Sequence, residues 1–495
     1  MSANRRLPVP IRGSVLSPQW RGQGNGRGIR RGIMVQTIAL VSSPLLDPLP
    51  EIGATGGPSA VLRPGDFATW NDAFDASPNA GTYILEPGDY RAWGKCVINR
   101  ANPAGHRRLI RFIDTTKRPW NRINNEAVTD GFQFTSGAAH WAVHGLTIRG
   151  PGLATCIVKQ GAEHITFDSL FIEDVDTHGI QLVGNHCTVQ NCVIRRASPN
   201  DSVAVLIRVD GVPNVGNRVL DNEICDCVDG VGVTWDDGGA NPYQECLDLV
   251  VEGNDIYLTE GHYVHRPEPV FPPGPGYPRV HARAENGIDI KAGPRTSTQP
   301  LRFERNRIWG FRAPEANSAQ KSDGAAVTIH RGAQRILFAE NVIFDCPIAF
   351  HEVVRDLAFP IGGGRKVTDP NQGDREVTVR SAIVSFIHPY NPEDLGAILR
   401  TKLPFRLEGN RFSHSRTLSA LPKKPQTHDV FVDNVLHDDT PFGEAGDDWQ
   451  QAGTNNRVPP ADDMSDVLIE RCRWTNPGLV RLRSAVLSTD VFQQR

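Results

Sequence analysis

Five charged side chains and one histidine in this chain have the types and spacing for chemistry on a charged substrate. Asp236 and Asp237 are adjacent, Asp289 and Lys291 stand two residues apart, and Arg208 and His330 each close a short apolar run. Carboxylate oxygens suit a hard cation, so Asp236, Asp237 and Asp289 form a candidate Ca2+ site. Lys291 can serve as a base if neighbouring cations and burial lower its pKa. Arg208 or Arg295 can clamp a carboxylate through a bidentate guanidinium. These are the parts of an elimination from a uronic-acid polysaccharide. The carboxylate must be neutralised by Ca2+ or Arg so that the adjacent C5–H becomes acidic, a base must take that proton, and a donor must protonate the leaving oxygen. Lys291, Arg208 and His330 are the candidate catalytic groups. Arg295, Arg331, His265 and Tyr263 are candidate substrate contacts. The same carboxylates could instead form the acid and base pair of a glycoside hydrolase, and a C5-epimerase would share the proton abstraction. Simpler readings stand beside each: a turn at Asp236-Asp237-Gly238-Gly239, a surface ion pair for Asp289 and Lys291, and polar strand-end roles for His330 and His178.

These residues meet only if their segments are stacked strands. Five runs open on a small residue or next to one: His178–Val183, Ser202–Arg208, Gly230–Asp237, Gly287–Ala292 and Gly324–Arg331. Aligned on that residue, Val231, Val233, Ile288, Ile290 and Val327 point inward, and alternate side chains point outward. The outward columns then read Gln181, Ala204, Gly232, Asp289, Ala326; Leu206, Thr234, Lys291, Thr328; and Arg208, Asp236, Gly293, His330. With strands ~4.8 Å apart, Arg208, Asp236, Asp289, Lys291 and His330 would share a patch roughly 15 Å across. The segment 259–284, rich in Pro, His and aromatic residues, leaves the chain just before Glu285 and could wall that patch.

An internal repeat supports the stacking. A pattern of apolar, any, apolar, one or two residues, Asn, any, apolar recurs at Asn191, Asn222, Asn254, Asn306, Asn341, Asn410 and Asn434, with Gly145, Ser169 and Cys472 in the same slot. The shortest spacings, 22 and 24, fit one coil of two or three short strands and their turns, and the longer ones fit loop insertions. Asn tolerates left-handed backbone and can form amide ladders along a stack. The expected fold is all-β: a single-stranded right-handed parallel β-helix, or solenoid, with an N-terminal cap and long loop insertions.

The segments Val61-Leu62-Arg63-Pro64-Gly65-Asp66, Trp70-Asn71-Asp72-Ala73-Phe74 and Thr82 through Tyr90 resemble the opening of pectate-lyase-like β-helix proteins. In that family a short helix caps the solenoid and an apolar–Pro–Gly–x–Tyr strand begins the first coil. The resemblance spans residues 60–480. It implies a polysaccharide lyase that uses a calcium-bound Asp cluster and a lysine base, which carries over to Asp236, Asp237 and Lys291, with Asp289. The family's four-Asp calcium pattern is incomplete here. The Gly-His-Gly segment of β-helix galacturonide hydrolases is absent, which disfavours that activity.

Composition bounds the rest. With 53 basic and 56 acidic residues the net charge is −3, which gives no field for nucleic acid. No apolar run approaches the ~18 residues of a membrane span. Residues 1–58 form a basic tail or export segment, with seven arginines and no Asp, Glu or Lys in 1–33; Arg30-Arg31 before an apolar stretch suggests a secreted or periplasmic protein. Residues 59–495 form the solenoid, with insertions at 259–284 and 356–400. Nine cysteines read as small buried residues, and their odd number leaves at least one free thiol. The competing class is a non-enzymatic glycan-binding or tail-spike-like solenoid, which would need exposed apolar columns to trimerise. The polar outer columns favour a monomer acting on a polysaccharide or oligosaccharide.

Overall fold

The computed structural model describes residues 57–102, 106–112, 126–149, 156–175, 178–197, 202–235, 245–259, 285–311, 325–330, 333–344, 346, 348–352, 358–361, 365–368, 377–385, 396–400, 405–413, 415–419, 430–432, 435–437, 468–470 and 473–474. The basic N-terminal segment through residue 56, the wall segment 260–284, Asp236, Asp237, Tyr263, His265 and Arg331 lie outside them. None of the described helices is long and apolar enough to cross a membrane.

The short β-branched runs of the sequence fold into strands of a few residues each, and these pair almost entirely in parallel. Three long sheets result, of 14, 13 and 11 strands, here called A, B and C; in each, the neighbours follow chain order coil by coil. One coil runs from Thr188–Gln190 in sheet A through Val193–Ala197 in sheet B to Val203–Val209 in sheet C, and the next begins at Arg218–Leu220 in sheet A. This is a parallel β-helix. Its core is a set of aligned apolar stacks: Phe167, Val189, Val219, Val251 and Phe303 in sheet A, and Ile172, Ile194, Ile224, Ile256 and Ile308 in sheet B. All are 1% exposed or less. Each coil buries its apolar side only against its neighbours, so the ends need covering.

The N-terminal cover is the one the sequence indicated. The helix Trp70–Ala76 opens with a reciprocal Thr69–Asp72 capping box. Its Trp70 and Phe74 pack among Tyr83, Tyr90 and Trp93. The Trp70 indole donates to the Gly94 carbonyl at 3.0 Å and the Tyr90 hydroxyl to the Leu62 carbonyl at 2.8 Å.

The asparagine repeat resolves into two adjacent columns at the turn from sheet A to sheet B. Left-handed backbone belongs to Gly145, Ser169, Asn191, Asp221, Gly253, Arg305 and Glu340. The buried ladder is one residue later, at Cys192, Asn222, Asn254, Asn306 and Asn341. The Asn254 Oδ1 accepts both the backbone N–H of Asn222 (3.0 Å) and its amide (2.9 Å), and Asn306 and Asn341 repeat this one coil on. Asn191 is therefore a turn residue and not a rung; Cys192 holds the rung position and donates its N–H to Asn222 Oδ1 at 2.9 Å.

The segment 356–400 differs from its expected form. Its hairpin, Ala358–Ile361 with Arg365–Thr368, is an insertion, but Val377–Arg380, Ile383–Ser385 and Gly396–Arg400 join sheets A, B and C as a regular coil. That coil carries Ala382 at the rung, whose N–H donates to Asn410 Oδ1 at 2.8 Å, so no asparagine marked it. The eight described cysteines are buried, and none of them is in a disulfide.

Candidate active site

Sheet C fixes the register of the candidate residues. Val205, Val231, Ile288 and Val327 stand opposite one another, and Val231, Ile288 and Val327 point inward as expected. The outward columns are shifted from the expected ones by two residues in two coils. Leu206, Gly232, Asp289 and Thr328 share one column, and Arg208 pairs with Thr234. Lys291 and His330 continue the Arg208 column, since the Lys291 N–H donates to the Val233 carbonyl and the His330 N–H to the Ile290 carbonyl. The cause lies in the small residue that passes the inner corner. Side chains at Gly179, Gly230 and Gly287 would run into the Cγ2 atoms of Ile194, Ile256 and Ile308, at 2.9, 2.3 and 2.6 Å. In the two shifted coils the residues in register with these glycines are Ala204 and Ala326, not Ser202 and Gly324. Because the shift is even, the faces of the residues beyond that corner were assigned correctly, but Ala204 and Ala326, expected outward, belong to the core.

The corrected register draws the charged groups together. Asp289 is 5% exposed. Lys291 Nζ lies 3.0 Å from its Oδ2, and His330 Nε2 lies 2.8 Å from its Oδ1. One buried carboxylate thus holds an ammonium and an imidazole that both reach the surface. Arg208 lies two strands from Lys291 in the same column, roughly 10 Å away at ordinary strand spacing. Arg295 is elsewhere, in the turn that follows the strand: its backbone N–H donates to Glu245 Oε1 at 2.7 Å, and its carbonyl accepts from Arg335 at 3.1 Å.

Four further polar residues belong to this cluster and were not singled out from the sequence. Asp229 and Asn286 stand opposite each other at the strand starts, and Asp229 Oδ1 accepts the Asn286 N–H at 2.9 Å. Asn286 Oδ1 accepts the Thr328 hydroxyl at 2.6 Å. All three are buried, and half-buried Glu285 lies beside them. The available signal was the polar–Gly–apolar opening shared by Asp229-Gly230-Val231 and Asn286-Gly287-Ile288; the glycine was used for alignment and the polar residue before it was passed over.

The electrostatics assign charge states. Burial, then the charges of Asp289 and Glu285, push the Asp229 carboxyl well above the ordinary carboxylate range. Burial acts the same way on Asp289, but the charges and hydrogen bonds of His330 and Lys291 outweigh it and hold Asp289 below that range. The Asp289 carboxylate, with help from Asp229 and Glu285, raises Lys291 above the usual lysine value. This reverses the environment that a lysine base requires: Lys291 has carboxylates beside it, and it stays an ammonium.

Calcium does not fit at Asp289. Ca2+ takes six to eight oxygens at about 2.3–2.6 Å, whereas one Asp289 oxygen faces the Lys291 ammonium and the other the His330 imidazole. Among the described residues no group of three His, Cys, Asp or Glu side chains is placed to hold a metal.

No protein-family model and no curated protein matches this chain. Solved structures do show similarity. An alginate lyase from Paenibacillus sp. str. FPU-7 is 14% identical at a TM-score of 0.39, over 66% of this chain and 95% of that one. The A-module of the Azotobacter vinelandii mannuronan C-5 epimerase AlgE4 is 12% identical at 0.37, over 79% and 93%. A mannuronic acid specific polysaccharide family 6 lyase from human gut microbiota is 12% identical at 0.40, over 88% and 91%. At this identity and score the likeness assigns no residue a role.

Proposed function

We propose that this protein is a carbohydrate-active enzyme that cleaves a uronic-acid polysaccharide by β-elimination at the Asp289–Lys291–His330 cluster. The observation that carries the reading is one buried carboxylate organising an imidazole and an ammonium on the outward face of a parallel sheet. Lys291, and Arg208 along the same column, supply positive charge for the uronate carboxylate, which acidifies the C5 hydrogen. Asp289 engages His330 through Nε2, which leaves Nδ1 as the nitrogen for proton transfer. His330 is therefore the base in place of Lys291, and the Lys291 ammonium is the nearest donor for the departing oxygen. Eliminating electrons pass from the breaking C5–H bond into the new C4–C5 double bond as the C4–O bond breaks.

A glycoside hydrolase is the second reading, and one observation favours it: two buried carboxyls, Asp229 and Asp289, are displaced in opposite directions, as an acid and a base would be. The experiment is ultraviolet absorbance growth on pectate, alginate and glycosaminoglycans, with and without chelator. New absorbance on a polyuronate, retained with chelator, is expected. Reducing ends without absorbance would establish the hydrolase. Loss of activity with chelator would return Ca2+ to the mechanism, with Asp236 and Asp237 as its candidate ligands.

A further inference from the structure

We propose that Asp229 is a positioning residue of this site: its bond to the Asn286 N–H, continued by the Asn286–Thr328 bond, ties its own strand to the two strands that carry Asp289, Lys291 and His330. This rests on the elimination reading for its kinetic arm only.

The tie crosses sheet C at right angles to the strands. Asp229 opens the strand Asp229–Trp235, Asn286 opens Asn286–Ile290, and Thr328 lies in Ala325–Ile329. Val203 is the register partner of Asp229. Its Cγ1 lies 3.0 Å from where a Gly232 side chain would begin, and Gly232 is the register partner of Asp289. Asp229 therefore stands on the same face as Asp289. Thr328 is opposite Asp289 on the following strand and two residues before His330. A sideways slip of either strand would open the 2.8 Å approach of His330 Nε2 to Asp289 Oδ1. Asp229, Asn286 and Thr328 are 4%, 2% and 0% exposed, so they act beneath the surface and do not meet the polymer. The tie needs only the acceptor oxygen of residue 229, which an asparagine also has.

The experiment compares Asp229→Asn, Asp229→Ala and Thr328→Val in the full chain. The kinetic arm uses the polyuronate that gives absorbance. Asp229→Asn is expected to stay within about threefold of the parent kcat, and Asp229→Ala to lose roughly ten- to a hundredfold in kcat with KM within about twofold. The second arm needs no substrate: with selectively labelled histidine, the His330 ring N–H resonance should persist in Asp229→Asn and broaden or shift in Asp229→Ala and Thr328→Val. Thr328→Val keeps the side-chain volume, so it tests the tie even if Asp229→Ala fails to fold. Full kcat in a folded Asp229→Ala, or an unmoved His330 resonance in Thr328→Val, would overturn the proposal. Equal loss in Asp229→Asn and Asp229→Ala would also overturn it, because a proton-donating carboxyl would then be required, as in the hydrolase reading. A missing absorbance product with the resonance pattern as expected would fault the elimination reading and leave the tie standing.

Discussion

At the residue scale, the account turns on how Lys291 and His330 divide one carboxylate. His330→Ala should lower kcat roughly 10²- to 10⁴-fold, the usual range for removing a general base. Lys291→Met should instead raise KM together with its effect on kcat, because the ammonium meets the substrate carboxylate in the ground state as well as in the transition state. Steady-state kinetics of the two variants separate the roles, and a Lys291 variant that loses kcat alone would contradict its contact with the substrate carboxylate and confine it to proton transfer. Asp289, Lys291, His330 and Arg208 were legible in the sequence because strand alternation alone puts them on the outward face. The charge states were not, since they depend on which oxygen each nitrogen reaches. Asp229 escaped because a polar residue at a strand start looks like any turn residue until its partner across the sheet is known.

At the element scale, the turns carry the solenoid. Asn306 Oδ1 accepts two donors from Asn254, and its own amide reaches the Val251 carbonyl at 3.0 Å. Asn306→Ala leaves the buried Asn254 N–H unmet and takes a donor from the Val251 carbonyl, while the Asn254 amide keeps the Val219 and Glu252 carbonyls; groups stranded in this way cost about 1–3 kcal/mol each. A loss of about 3 kcal/mol in denaturant unfolding is expected, and a loss under about 1 kcal/mol would show that the rung is dispensable. A second turn column, between sheets C and A, stacks His140, His164 and His186 at ring separations of 4.7 and 5.1 Å, within 13° of parallel, all on left-handed backbone. Burial, then His140, with His186 and Arg107 adding to it and Glu163 opposing, lowers the His164 pKa. A histidine whose pKa is lowered on folding contributes fully above its unfolded value near 6.5, and that contribution is lost as pH falls from that value through the lower folded one. Between pH 7 and 5 the parent should lose more thermal stability than His164→Asn, whose residue also tolerates left-handed backbone; parallel losses would contradict this. The repeat revealed the turns, but Asn serves as a rung in some coils and as a left-handed residue in another, and spacing alone does not separate the two.

At the scale of the whole molecule, stacked coils explain why so much of the fold could be read from the chain. In the three long sheets the described strands pair with the equivalent strands of neighbouring coils, so a short pattern specifies the architecture locally and insertions change spacing without changing register. Coil 377–400 escaped for the complementary reason: Ala382 removes the one marker the pattern relied on. The outward face of sheet C is where three consecutive coils place a polar tie below and a carboxylate, ammonium and imidazole above. The measurement that tests this most directly is mass analysis of the products formed from a polyuronate in heavy-oxygen water. The account predicts a fragment carrying an unsaturated uronate at its new non-reducing end, with no solvent oxygen added by the cleavage, and its loss in His330→Ala. Saturated fragments with one solvent oxygen per cut would contradict it and make the cluster a hydrolase.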